Sequence, residues 1–83
     1  MKQKPKWIIR HIDVCGLEPP EPMVRALDML SQLPKNERLA MLIDREPYPF
    51  YQILDNKGFA HSTRARPDQL YEVLIWHKDQ GLE

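Results

Sequence analysis

Cysteine is almost missing from this chain: of 83 residues only Cys15 carries a thiol. A single cysteine excludes any internal disulfide, and that fits a reducing compartment. Charge of one sign is missing as well, since twelve basic and twelve acidic residues cancel. The whole-chain electrostatic footprint of a nucleic-acid binder is therefore absent, which leaves only a local basic patch open. Long hydrophobic runs are absent too. The longest aliphatic run covers residues 39–43 (LAMLI), far short of a membrane span. The basic opening MKQKPKW is followed by no apolar run of signal-peptide length. No repeat, linker or low-complexity segment interrupts the chain. The expectation is a soluble cytoplasmic protein with one domain over residues 1–83 and an ordered core at about 7–78. A chain of this size buries roughly 60–65% of the surface its unfolded state exposes, enough for one sheet under one helical layer.

What is present reads as alternating elements. Residues 7–14 (WIIRHIDV) are rich in β-formers and closed by Gly16, which predicts a strand. Pro19, Pro20 and Pro22 suit an extended approach and then the first turn of a helix, where a missing N–H costs nothing. Met23, Ala26, Leu27 and Leu30 recur at helical spacing to about Gln32, and Pro34 ends the segment. Residues 37–43 (ERLAMLI) predict a second strand. Pro47 and Pro49 delay the next helix to about Phe50, and Gly58 stands where its C-terminal cap requires positive φ. Residues 59–66 and 70–78 predict two more strands, joined by a hairpin at Pro67-Asp68. Helical crossovers imply parallel pairing of neighbouring strands. Two helices cannot cover both faces of a four-stranded sheet this small. The fold class is α/β, an α+β two-layer sandwich ordered β-α-β-α-β-β, with a mixed sheet and both helices on one face.

The stretch DVCGLEPPEPM, residues 13–23, resembles the first motif of the TusA/SirA-like superfamily, Asp-any-any-Gly-Leu-any-Cys-Pro-any-Pro. Asp13, Gly16, Leu17, Pro20 and Pro22 match it. The likeness is greater still to an uncharacterised branch of that superfamily, a domain of unknown function. Its members carry a GL-PPEPM-type opening, an acidic-Pro motif like DREPYPFY, and a GF step into the third strand. The resemblance implies the same fold and a redox or sulfur-related setting. It also exposes a departure. In sulfur-relay members the cysteine before the first motif proline carries a persulfide, and here that position is Pro19. Cys15 precedes Gly16 on the strand side of the turn, in a different slot, so the carrier role does not transfer.

If the first two strands are parallel, their carboxyl ends meet one edge of the sheet, the place ligands favour in open α/β sheets. The candidate ligand or partner residues at that edge are Asp13, Cys15, Glu18, Glu21, Asp44, Arg45 and Glu46, with Arg64 and Arg66 if the third strand is parallel too. Each has a plainer reading. Asp13 can bind nearby backbone amides, Glu18 and Glu21 can complement a helix dipole, and the 44–46 triplet can be an exposed ion pair. Tyr48 and Tyr51 can stack on a ligand or simply pack. His11, Asp13 and Cys15 alternate along one predicted strand and share a face. Imidazole and thiolate make an acceptable donor pair for zinc or copper. No CxxC or HxxxH element completes such a site, and His61 and His77 lie on other strands. No base for Cys15 is identifiable. The expectation is no catalytic residue, no metal and no cofactor.

On the sheet face away from the helices, alternation places Trp7, Ile9 and His11, then Ala40 and Leu42, then Leu74 and Trp76. An apolar open face of this kind signals an interface with a protein partner or a second copy. The expected interface residues are Trp7, Ile9, Leu42, Leu74 and Trp76. The leading functional expectation is a non-enzymatic binding or adaptor module, with a small ligand possible at the motif edge and no membrane partner. Two alternatives stand beside it. One is thiol- or metal-dependent chemistry at Cys15. The other is RNA binding, through a fold that resembles the C-terminal domain of bacterial initiation factor three, which zero net charge disfavours.

Overall fold

The two amphipathic segments and four β-rich runs form elements in the expected order. The computed structural model describes residues 8–79. The elements are β1 (Ile8–Asp13), α1 (Glu21–Leu30), β2 (Glu37–Ile43), α2 (Tyr48–Asn56), β3 (Phe59–Ala65) and β4 (Tyr71–His77). Helix α2 begins before Phe50, because Pro49 falls inside its first turn, where no N–H is needed. Gly58 has φ +87° just beyond that helix, as its place in the sequence requires.

The sheet is mixed, with strand order β1-β2-β4-β3. Strands β1 and β2 pair in parallel, with Asp13 beside Leu42, while β4 lies antiparallel to both β2 and β3. The parallel crossover through α1 therefore joins neighbouring strands, whereas the one through α2 does not. After α2 the chain skips one position, and the β3–β4 hairpin folds β4 back into the gap beside β2. Local turn chemistry at residues 66–70 makes that hairpin, and the Arg66 amide donates to the Leu70 carbonyl at 2.8 Å.

One face of the sheet meets both helices. Leu39, Met41 and Ile43 of β2 and Val73 and Ile75 of β4 are buried with Ala26 and Leu30 of α1 and Phe50 and Leu54 of α2. Each of these side chains other than Ala26 contributes about 1.5–3 kcal/mol by leaving water, before the entropy of ordering it is counted. The opposite face carries no helix. It presents Ile9, His11 and Asp13 of β1, Ala40 and Leu42 of β2, Glu72 and Leu74 of β4, and Ser62 and Arg64 of β3 in register. Arg38 and Trp76 belong to the same face, the guanidinium carbon 4.7 Å from the ring centroid. The expected interface residue Trp7 lies outside the described residues. Among the described residues, no helix is long and apolar enough to cross a membrane.

Candidate functional site

Because β1 and β2 are parallel neighbours, the chain leaves both at one edge and enters two proline-bearing loops. The Val14 amide still donates to the Leu42 carbonyl, at 2.9 Å. The backbone then turns at Cys15 and Gly16, and Gly16 takes φ +82°, a conformation L side chains rarely adopt. Strand β1 thus ends at Asp13, and the predicted alternation of His11, Asp13 and Cys15 on one strand face stops one residue pair early.

Two carboxylates hold the turn. The Cys15 amide donates to Asp13 Oδ1 at 3.0 Å, and the Gly16 amide donates to Asp44 Oδ2 at 3.0 Å. Hydrogen bonding from the Cys15 amide, then from its side chain, holds the Asp13 carboxyl below the usual carboxylate range. The effect on Cys15 is opposite. Burial first, and then the hydrogen bond and negative charge of Asp13, push the thiol up to about 11. At neutral pH it stays protonated, which is the wrong state for a nucleophile or a metal ligand.

Past this turn the two loops enclose a cleft of about 230 Å³. Five prolines line it: Pro19 and Pro20 from the first loop with Pro22 from the first turn of α1, and Pro47 from the second loop with Pro49 from the first turn of α2. Leu17, Met23 and Ile43 complete its apolar lining, and Asp44, Arg45 and Glu46 supply its polar groups. Glu46 is anchored rather than loose, since the Tyr51 hydroxyl donates to its Oε2 at 3.0 Å. Tyr51 also shares a hydrogen bond with Thr63 and stacks on His61 with ring centroids 4.6 Å apart. Tyr48, largely exposed, stands edge-on to Tyr51 at 6.1 Å. A hydrogen bond to Glu46, and then that carboxylate's charge, raise the Tyr48 phenol above its ordinary range.

The nine edge candidates from the sequence separate into distinct places. Asp44, Arg45 and Glu46 line the cleft. Asp13 and Arg66 meet instead at a shallow hollow on the open-face side, with His11, Leu42 and Glu72. Arg66 also reaches the hollow beside Tyr48 and Gln69, while pairing with Asp68 at 2.9 Å. Arg64 lies on the open face, paired with Glu72 at 2.6 Å. Glu21 pairs with Arg25 one helical turn on, at 2.9 Å, and Glu18 is exposed. Cys15 stays in the turn with Asp13.

The histidines do not converge. His11 is on the open face, while the His77 ring lies 2.7 Å from the Leu33 carbonyl and His61 lies 3.3 Å from Asp55. Among the described residues, no three His, Cys, Asp or Glu side chains gather as a metal site.

Sequence reasoning missed the apolar lining. The prolines read as helix starters, which they are, but the signal for a cleft was their recurrence in both loops leaving parallel neighbours. Rings that cannot donate hydrogen bonds, set in facing loops, leave an apolar wall.

The family model described as "Uncharacterized conserved protein (DUF2249)" matches residues 11–77. No curated protein matches. Among solved structures, the crystal structure of a SirA-like protein from Desulfitobacterium hafniense is similar in fold, with a TM-score of 0.72 at 22% identity. The likeness covers 82% of this chain and 95% of that one.

Proposed function

This chain belongs to the uncharacterized conserved family DUF2249, and on that premise we propose that it is a non-enzymatic binding module. Its site is the proline-lined cleft at the carboxyl edge of β1 and β2, which takes a small apolar ligand or a short apolar segment of a partner. The single observation behind this reading is the composition of the cleft wall. Pro19, at the position where the superfamily resemblance places a sulfur-carrying cysteine, lines it with four other prolines. A small, partly open apolar cleft with a few fixed polar groups has the make-up of a binding site for a small ligand or a short segment. Asp44 and Glu46 are already oriented by the Gly16 amide and the Tyr51 hydroxyl, so little ordering accompanies ligand entry. The lone cysteine supports a cytoplasmic setting, and the superfamily resemblance supports a redox or sulfur-related one.

The raised thiol of Cys15 argues against the alternative in which that residue does chemistry. RNA binding draws less support, because Arg64 and Arg66 each pair with a carboxylate. The test is retention of small molecules and proteins from native cytoplasm, identified by mass spectrometry, by wild type, Cys15→Ser and Met23→Trp. Wild type and Cys15→Ser should retain the same species, while Met23→Trp, which fills the cleft, should lose them. Retention that survives Met23→Trp but fails in Cys15→Ser would reject the cleft and return the function to the thiol.

A further inference from the structure

The bare face of the sheet sets large beside small and acidic beside basic side chains. Its side chains stand in three rows across β1, β2, β4 and β3. The middle row is His11, Ala40, Leu74 and Ser62, and the row toward the carboxyl edge is Asp13, Leu42, Glu72 and Arg64. In the remaining row, Ile9 stands beside Arg38 and Ala60 beside Trp76. A large side chain and a small one are therefore neighbours at the centre: Leu74 stands beside Ala40, and both line one shallow hollow of this face.

We propose that a second copy of this chain covers this face, in a two-fold dimer whose axis runs along the strands between β2 and β4. That rotation sets β2 over the other copy's β4 and β1 over its β3, and keeps every row at its own level. Leu74 of each copy then enters the hollow over Ala40 of the other. Asp13 of each copy meets Arg64 of the other, an opposite-charge contact made twice and added to the pair Arg64 makes with Glu72 of its own chain, while Leu42 lies over the aliphatic stem of the other copy's Glu72. Arg38 of each copy lies over Trp76 of the other, repeating between copies the cation–π contact made within one. The other two-fold in the plane of the face, perpendicular to the strands, sets Ala40 over Ala40 and Leu74 over Leu74. In the middle row it pairs nothing large with anything small. The arrangement is an isologous interface, in which residue i meets j and j meets i.

The size of the face bounds the affinity. Four strands about 4.8 Å apart, each rising about 3.3 Å per residue, present a patch roughly 20 Å on a side. Two such patches bury on the order of 1,000 Å², the lower limit for a specific interface. The dimer is accordingly concentration-dependent and leaves the proline-lined cleft at the sheet edge open.

Sedimentation equilibrium of the full chain between about 10 µM and 1 mM tests this. The mass should rise from the 9.9 kDa of one chain toward twice that value. Ala40→Glu and Leu74→Lys should each remain monomeric and folded by circular dichroism. Mixing the two variants should restore a dimer, because the introduced carboxylate of one copy then meets the introduced ammonium of the other. The remaining Leu74–Ala40 contact in that mixed dimer is native. Ala40→Leu, which fills the hollow with an apolar side chain, should also weaken the dimer and serves if Ala40→Glu fails to fold. A wild type monomeric at 1 mM overturns the proposal and leaves the face to a different partner. So does a dimer indifferent to Leu74→Lys, or a mixture of the two folded variants that stays monomeric.

Discussion

Asp44, just past the end of β2, accepts a hydrogen bond from the amide of Gly16, across 28 positions of sequence, at 3.0 Å. This contact ties the motif turn after β1 to the loop after β2, and those two loops form the walls of the cleft. Replacing Asp44 by alanine should cost about 0.5–1.5 kcal/mol of stability in urea denaturation, the range of a typical net hydrogen bond. Asp44→Asn keeps an acceptor oxygen and should recover most of the loss. Equal losses in both variants would mean the carboxylate acts through its charge.

Cys15 should behave as a shielded thiol. Its alkylation rate should stay low at neutral pH and rise with a midpoint near 11, where burial and Asp13 have moved it. Asp13→Asn should shift that midpoint down by removing the second of these causes. The raised value also carries a sign for folding. The native state holds the thiol proton more tightly than the unfolded chain, so stability is fully present below the ordinary thiol range. It should fall as pH rises from there to about 11. A midpoint at the usual value of about 8.5 would contradict the burial argument.

Phe50, in the first turn of α2, is the largest fully buried side chain among the described residues. Phe50→Ala should destabilise by about 3–5 kcal/mol through lost transfer energy and the cavity left behind. Val24, 58% exposed on α1, sets the contrast: Val24→Ala should change stability by less than about 0.5 kcal/mol. Paired thermal or denaturant melts read both.

Gly58 stands at φ +87° with open space where a Cβ would go, so the cost of substitution there is conformational and not steric. Gly58→Ala should destabilise by about 1–2 kcal/mol, and Gly58→Asn by less, since asparagine visits the left-handed region more readily. A neutral Gly58→Ala would show that the end of α2 can adopt another cap.

The element order was readable because each signal is local. Proline after a strand, apolar residues three and four apart, and glycine at a cap act within a few residues of chain. The open face was readable for a related reason, since alternation along Leu39, Ala40, Met41 and Leu42 assigns sides without a partner. Alternation also misled once, at Cys15, where the turn governed by Gly16 begins before the apolar run suggests. The edge candidates were less legible. Glu18, Glu21 and Asp44 are all acids near a loop or helix start, and nothing local says which one reaches a distant amide.

The sequence by itself thus determined the elements, their faces and the proline at position 19 of the motif stretch, because these follow from short-range sterics and the identity of single residues. Tertiary structure alone decided that β4 sits between β2 and β3, that Asp44 closes on Gly16, and that five prolines from two loops and the helix starts after them wall one cleft. Those facts depend on contacts between residues tens of positions apart. Which distant contacts form is settled by the joint burial of both helices on one sheet face, and no short window of the chain contains that competition.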